Sequence, residues 1–148
     1  MSTETQQRST ILVVGANSFS GSHFVAYALE KGHRVIGVSR SIEPPLPFLP
    51  RLWSYANPNY SFHRLDLNRD STELQSLLGV EKPSIVVNFA AQGMVAESWG
   101  APWDWFQTNT VGLSRFVQLL CGQTWLQKYV HVTTPEVYGS TNGWVRNL

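Results

Sequence analysis

The segment that most restricts the fold is TILVVGANSFSG, residues 10–21. An apolar, β-branched run leads into Gly15, and a second glycine, Gly21, closes the turn that follows. An apolar run without polar alternation reads as a strand buried on both faces. The next residues, SGSHFVAYALEKGH (20–33), place Phe24, Val25, Ala28 and Leu29 at helical spacing and end at Gly32, a stop signal. A strand that turns directly into a helix leaves the helix N-terminus, with its unpaired N–H groups and positive dipole end, at the strand's carboxyl edge. Gly15 suits the tight turn and Gly21 the close packing of helix on strand. Such a turn can hold a pyrophosphate, although an ordinary tight turn has the same outline.

The alternation continues along the chain. RVIGVSR (34–40), YSFHRLD (60–66), SIVVNFAA (84–91) and KYVHVTT (128–134) read as four further strands. Helices are expected over STELQSLLG (71–79), with Ser71 as N-cap, and over WFQTNTVGLSRFVQLL (105–120). In the latter, Phe106, Leu113, Phe116, Val117 and Leu120 share a face. Four prolines in 41–51 make that segment a loop, followed by a short helix at RLWSYAN (51–57). Apolar strands alternating with helical crossovers predict an α/β fold, a Rossmann-type doubly wound parallel sheet. The expected strand order is 3-2-1-4-5, with one domain over 10–148 behind a polar lead at 1–9. Ligands of such a sheet sit beyond the carboxyl ends of its strands.

Composition narrows the function. The net charge of +1 carries no basic nucleic-acid footprint. The single cysteine, Cys121, excludes an internal disulfide; in its apolar helical setting it is expected to be buried and inert. The polar N-terminus is unlike a signal peptide, and no run approaches the ~18 apolar residues of a membrane helix, so a cytoplasmic protein with no membrane partner is expected. The four histidines lack metal-ligand spacing with Cys121, and no lysine follows the glycine turn as in a P-loop. The aromatic cluster WGAPWDWF (99–106) is expected to pack in the core, with a homodimer surface as the alternative.

The segment VVGANSFSGSHFVAYALEKGHRVIGVSR resembles the opening of the extended short-chain dehydrogenase/reductase family, with Ser18 where the middle glycine of Gly-x-x-Gly-x-x-Gly stands. Four later segments continue the resemblance: RLDLNRD (64–70), PSIVVNFAAQGMVAESW (83–99), TNTVG (108–112) and YVHVTTPEVYGS (129–140). The last is similar to the fifth strand of nucleotide-sugar 4,6-dehydratases, the NAD(P)-dependent epimerase/dehydratase branch. The resemblance implies a dinucleotide held by Gly15, Asn17, Ser18, Phe19, Ser20 and Gly21, by Arg40, by Asp66 and Leu67, by Phe89, Ala90 and Ala91, and by Thr108 and Thr133. Asp66 would bind the adenine amino group, and the two alanines would lie beside the nicotinamide ribose. The second strand ends in Ser39 and Arg40, with no acid before Glu43. An acid there binds the ribose hydroxyls of NAD and a base meets the 2′-phosphate of NADP, so NADP is favoured over NAD.

For catalysis the resemblance assigns Thr134 to orienting the sugar hydroxyl and Glu136 to the elimination of water from the nucleotide sugar. Plain epimerases generally lack that glutamate. Pro135 stands where many dehydratases carry a proton-donating aspartate, and proline has no proton to give. The tyrosine base of these enzymes belongs to a Tyr-x-x-x-Lys pair, whereas four residues after Tyr138 comes Asn142. The one match to that spacing, Tyr27 to Lys31, falls on the first helix, where the family has none. The expectation is therefore the cofactor-binding part of a longer lyase, truncated after the fifth strand and without its C-terminal substrate part. An epimerase or reductase, and a non-catalytic dinucleotide-binding module, remain as alternatives.

Overall fold

The computed structural model describes residues 8–45, 57–140 and 143, and the backbone alone for Pro135 and Glu136. Five strands, β1 (Thr10–Val14), β2 (Arg34–Ser39), β3 (Tyr60–Arg64), β4 (Ile85–Asn88) and β5 (Lys128–His131), form one sheet in the order β3-β2-β1-β4-β5. All four neighbouring pairs are parallel. The crossovers carry α1 (Phe19–Glu30), α2 (Ser71–Glu81), α3 (Val95–Ser98), α4 (Pro102–Phe106) and α5 (Leu113–Leu120). This is the doubly wound α/β sheet expected from the alternation of apolar runs and helical segments.

The lack of polar alternation in the strands has a simple cause. Ile11 and Val13 of β1 pack with Val25, Ala28 and Leu29 of α1 on one face. Leu12 and Val14 pack with Leu74 and Leu78 of α2 and Phe116 and Leu120 of α5 on the other. Both faces are covered, so both sets of alternate residues are apolar.

Several boundaries differ from the sequence reading. β3 ends at Arg64, β4 at Asn88 and β5 at His131, so Asp66, Ala90, Ala91, Thr133 and Thr134 all fall past the last ladder residue. α2 begins after Asp70, not Ser71; Asp70 occupies the N-cap but turns its Oδ2 to the Asp66 N–H at 2.7 Å instead of capping the helix. α2 also runs through Gly79 and stops at Lys82, which takes the left-handed conformation with φ 43°. The helix expected over 105–120 starts at Pro102, where proline needs no N–H partner, and passes through a π-helical segment, Gln107–Gly112. Residues 51–56 of the expected short helix lie outside the described residues.

Two burial expectations are overturned. Cys121 is exposed, because α5 ends at Leu120 and the cysteine is its C-cap, with ψ 133°, at the start of a turn. Trp99, Trp103 and Phe106 are 85%, 69% and 64% exposed. Trp99 caps the end of α3, and Trp103 and Phe106 lie on α4, ahead of the π-helical segment that leads into α5. No helix among the described residues is long and apolar enough to cross a membrane.

The foot of β2 carries an ion pair, Arg34 with Glu81 at the end of α2. The hydrogen bond from Arg34 holds the Glu81 carboxyl below its ordinary range, against the opposing effect of burial. A depressed carboxylate stabilises the fold above its unfolded value, about 4.3, and that contribution is lost as pH falls through the lower folded value. With Arg34 45% exposed, the contribution is at most about 1 kcal/mol. Glu81→Gln is therefore expected to lower stability slightly at neutral pH and to flatten its decline below pH ~4.3, read by urea unfolding across that range.

Candidate functional site

The order of the sheet reverses between β1 and β4, the place where ligands of such sheets bind. Here β1 turns into α1 through Gly15, whose φ is 81°. A Cβ on Gly15 would lie 2.7 Å from the Ala90 nitrogen and 2.9 Å from the Phe89 carbonyl carbon. The absence of a side chain is what lets the turn rest on the segment leaving β4. A Cβ on Gly21 would strike the Gly15 carbonyl oxygen. The helix start thus folds down on the turn, as the glycine spacing predicts.

Ser18 is the N-cap of α1, and its Oγ accepts the Gly21 N–H at 3.1 Å. Ser22 N–H is taken by the Ser18 carbonyl at 2.8 Å. Two helix-start donors, the N–H groups of Phe19 and Ser20, meet no acceptor among the described residues. A serine in the middle of the turn therefore closes one donor and leaves two for an anion.

Asn17 extends the turn sideways. Its backbone N–H donates to Ser39 Oγ at 3.0 Å, and its Nδ2 donates to the carbonyls of Ser41 at 3.1 Å and Ile42 at 3.0 Å. The glycine turn and the loop after β2, where Arg40 stands, are one hydrogen-bonded unit. Beyond β3, Asp66 Oδ1 accepts the Asn68 N–H at 2.8 Å, and Asn68 Nδ2 donates to Thr108 Oγ1 at 3.0 Å.

Two clefts open along this edge. The first, about 270 Å³, is lined by Gly15, Asn17, Ser18, Ser39, Arg40, Asp66, Leu67, Asn68, Phe89, Ala90, Ala91 and Thr108, among others. The second, about 860 Å³, takes in Phe19, Ser20, Asn109, Trp105, His131, Thr133 and Thr134. Both include Ser18, Phe89, Ala90 and Ala91, so they adjoin there and together cross the carboxyl edge of the sheet. Of the expected cofactor residues, Gly21 alone lines neither; it supports the turn from beneath. Thr134 lines the second cleft, and Glu136 follows in a short 3-10 turn, Pro135–Tyr138. Tyr138 is 58% exposed.

Several structural supports were not foreseen from sequence. Asn88, fully buried at the end of β4, accepts the Ala90 N–H at 2.8 Å through Oδ1. Its Nδ2 lies 3.3 Å from His131 Nδ1 and 3.5 Å from the Tyr129 hydroxyl. Burial pushes the Tyr129 phenol up, opposed by its bond with Asn88, so it stays protonated at neutral pH and is no poised base. Asn109 makes a reciprocal pair with the Gln92 backbone, accepting its N–H at 2.8 Å and donating to its carbonyl at 3.0 Å. Both Thr108 and Asn109 belong to the π-helical segment, a type of turn frequent at functional sites. A polar residue ending an apolar strand, as Asn88 does, was the one available signal.

Comparison with known proteins agrees with this geometry. The family model described as GDP-mannose 4,6 dehydratase matches residues 12–145. The chain is 32% identical over 136 residues to the uncharacterized UDP-glucose epimerase YtcB of Bacillus subtilis, covering 90% of this chain and 42% of that one. It is 30% identical over 144 residues to the dTDP-glucose 4,6-dehydratase of Xanthomonas campestris, covering 88% and 39%. Among solved structures, MoeE5 in complex with UDP-glucose and NAD superposes with a TM-score of 0.71 at 28% identity, covering 92% of this chain and 40% of that one. The chain thus spans about two-fifths of the length of these relatives.

Proposed function

The chain belongs to the epimerase/dehydratase family described by the GDP-mannose 4,6 dehydratase model, and on that premise we propose that it is the dinucleotide-binding part of a nucleotide-sugar 4,6-dehydratase. The observation that carries the reading is the pair of adjoining clefts on the carboxyl edge, joined at Ser18 and Phe89–Ala91. Gly15 leaves room for a backbone approach, and the Phe19 and Ser20 N–H groups supply donors for a pyrophosphate. These features fit a nicotinamide dinucleotide, which when bound accepts a hydride from the sugar and returns it.

The chain's own residues do the rest. Asp66 lines the first cleft with Oδ1 turned to Asn68, leaving Oδ2 as the acceptor for the adenine amino group. Ala90 and Ala91 present small side chains where the two clefts meet, and would lie beside the nicotinamide ribose as the resemblance implies. Thr134 lines the second cleft and orients the sugar hydroxyl. Glu136 removes the proton in the elimination, as the resemblance implies. Arg40, with Ser39 and Ser41 beside it, favours a 2′-phosphate and hence NADP.

An epimerase is the second reading. It is favoured by Pro135 in the proton-donor position and by the near-equal identity to YtcB, 32%, and to the Xanthomonas dehydratase, 30%. Calorimetric titration of the full chain with NADP and NAD tests the binding reading: saturable binding, tighter for NADP, is expected. Absence of binding to both would overturn it. Oxidation of the sugar, the step before elimination, needs a base within hydrogen-bond reach of the sugar hydroxyl, and neither Tyr129 nor Tyr138 suits that role. The 148-residue chain supplied with NADP and GDP-mannose or dTDP-glucose is thus expected to form no 4-keto-6-deoxy product. Formation of that product would contradict this part of the proposal.

A further inference from the structure

The four carbonyls of Ser39 to Ile42 are all engaged. Ser39 accepts the Leu65 N–H at 3.0 Å, and Arg40 accepts Arg64 Nε at 3.2 Å. Ser41 and Ile42 accept Asn17 Nδ2. The loop that displays Arg40 is therefore fixed from the glycine turn on one side and from β3 on the other. Arg64 is the notable member of this set. It ends β3 in register with Ser39, so the two share a side of the sheet. Among the described residues only its Nε is used, on the Arg40 carbonyl, which sets its guanidinium beside the Arg40 backbone. Neither Arg40 nor Arg64 meets a carboxylate among the described residues. Glu43, the nearest acid in sequence after Arg40, is bonded by the Tyr60 hydroxyl at 3.3 Å.

We propose that Arg64 is a second specificity-determining residue: with Arg40 it forms a two-guanidinium seat for a phosphate monoester on the adenosine ribose, at its 2′ position. The inference rests on the dinucleotide reading and adds to it a residue on β3. The two guanidinium groups, one on the loop and one at the end of β3, meet no anion among the described residues. A monoester dianion offers three acceptor oxygens and close to two charges at neutral pH. Guanidinium forks match those oxygens better than an ammonium does. The bond from Arg64 to the Arg40 carbonyl also couples the two residues, so that Arg64 acts both on the phosphate and on the loop.

The test compares NADP and NAD, which differ only in the 2′-phosphate, as probes of the full chain by titration calorimetry. Arg64→Gln keeps an amide donor for the Arg40 carbonyl and removes the charge. It is expected to reduce the NADP-to-NAD affinity ratio about tenfold, with Arg64→Lys intermediate and the salt dependence of NADP binding weakened. An unchanged ratio would overturn the inference, as would an equal loss for both dinucleotides, which would make Arg64 a mere prop for the loop. If wild-type chain binds NAD but shows no preference for NADP, the two-arginine seat fails while the dinucleotide reading stands. If it binds neither, that reading fails, and the inference with it.

Discussion

Gly15→Ala is expected to abolish measurable dinucleotide binding and to cost about 2–5 kcal/mol of stability. Two effects combine. Gly15 has φ 81°, a region where an L side chain is strained by roughly 1–2 kcal/mol. In addition, its Cβ would stand 2.7 Å from the Ala90 nitrogen and 2.9 Å from the Phe89 carbonyl carbon. Those contacts are backbone on both sides, so no flexible side chain can yield; β1 and the segment after β4 must part at the point where the two clefts join. Gly32 separates the terms, because it has the same φ of 81° with nothing within 4 Å of its Cβ position. Gly32→Ala measures the strain alone, about 1–2 kcal/mol, with binding retained. The difference between the two variants in urea unfolding and in NADP titration reads the cost of the clash. Equal losses of stability and retained binding in Gly15→Ala would refute the view that this contact shapes the site.

What was legible in the sequence follows from how local each cause is. The β1–turn–α1 unit could be read because its determinants, a run of buried residues and two glycines, lie within 10–21 and act on their own neighbours. The sheet order follows from the family resemblance and from strands covered on both faces. The π-helical segment at Gln107–Gly112 was not legible, since one extra residue per turn leaves the apolar spacing of α5 intact while rotating Phe106 outward. The exposure of Trp99 and Trp103 has a related reason: aromatic content alone does not say which way a side chain turns from its helix. Cys121 turned outward because α5 stops one residue before it. The site residues themselves were placed by motif, but their supports, Asn68, Asn88 and Asn109, act across 17 to 43 residues of chain and leave no periodic trace.

The most consequential of those supports is Asn88. Asn88→Leu preserves volume but leaves the Ala90 N–H without its acceptor and His131 Nδ1 without its donor. The amide is fully buried, so water cannot replace it. An unsatisfied buried donor costs about 1–3 kcal/mol, and a destabilisation near the upper end is expected because the Tyr129 hydroxyl loses its partner as well. The functional effect is separate from the global one. Ala90 is where both clefts meet, and its peptide is held by two things: the Asn88 carboxamide and the close approach of Gly15. Releasing the first lets the Phe89–Ala91 segment drift, and a displacement of a fraction of an ångström there alters the seat for the dinucleotide along its length. Binding is expected to weaken at least tenfold, about 1.4 kcal/mol. Asn88→Asp retains an acceptor for the Ala90 N–H and loses the donor toward His131, so it is expected to bind better than the leucine variant. Calorimetric affinities beside the amide shift of Ala90 in NMR distinguish the causes. Should Asn88→Asp and Asn88→Leu weaken binding equally while the Ala90 amide stays at its wild-type shift, the acceptor would not be what positions this segment, and the role assigned to Asn88 would fall.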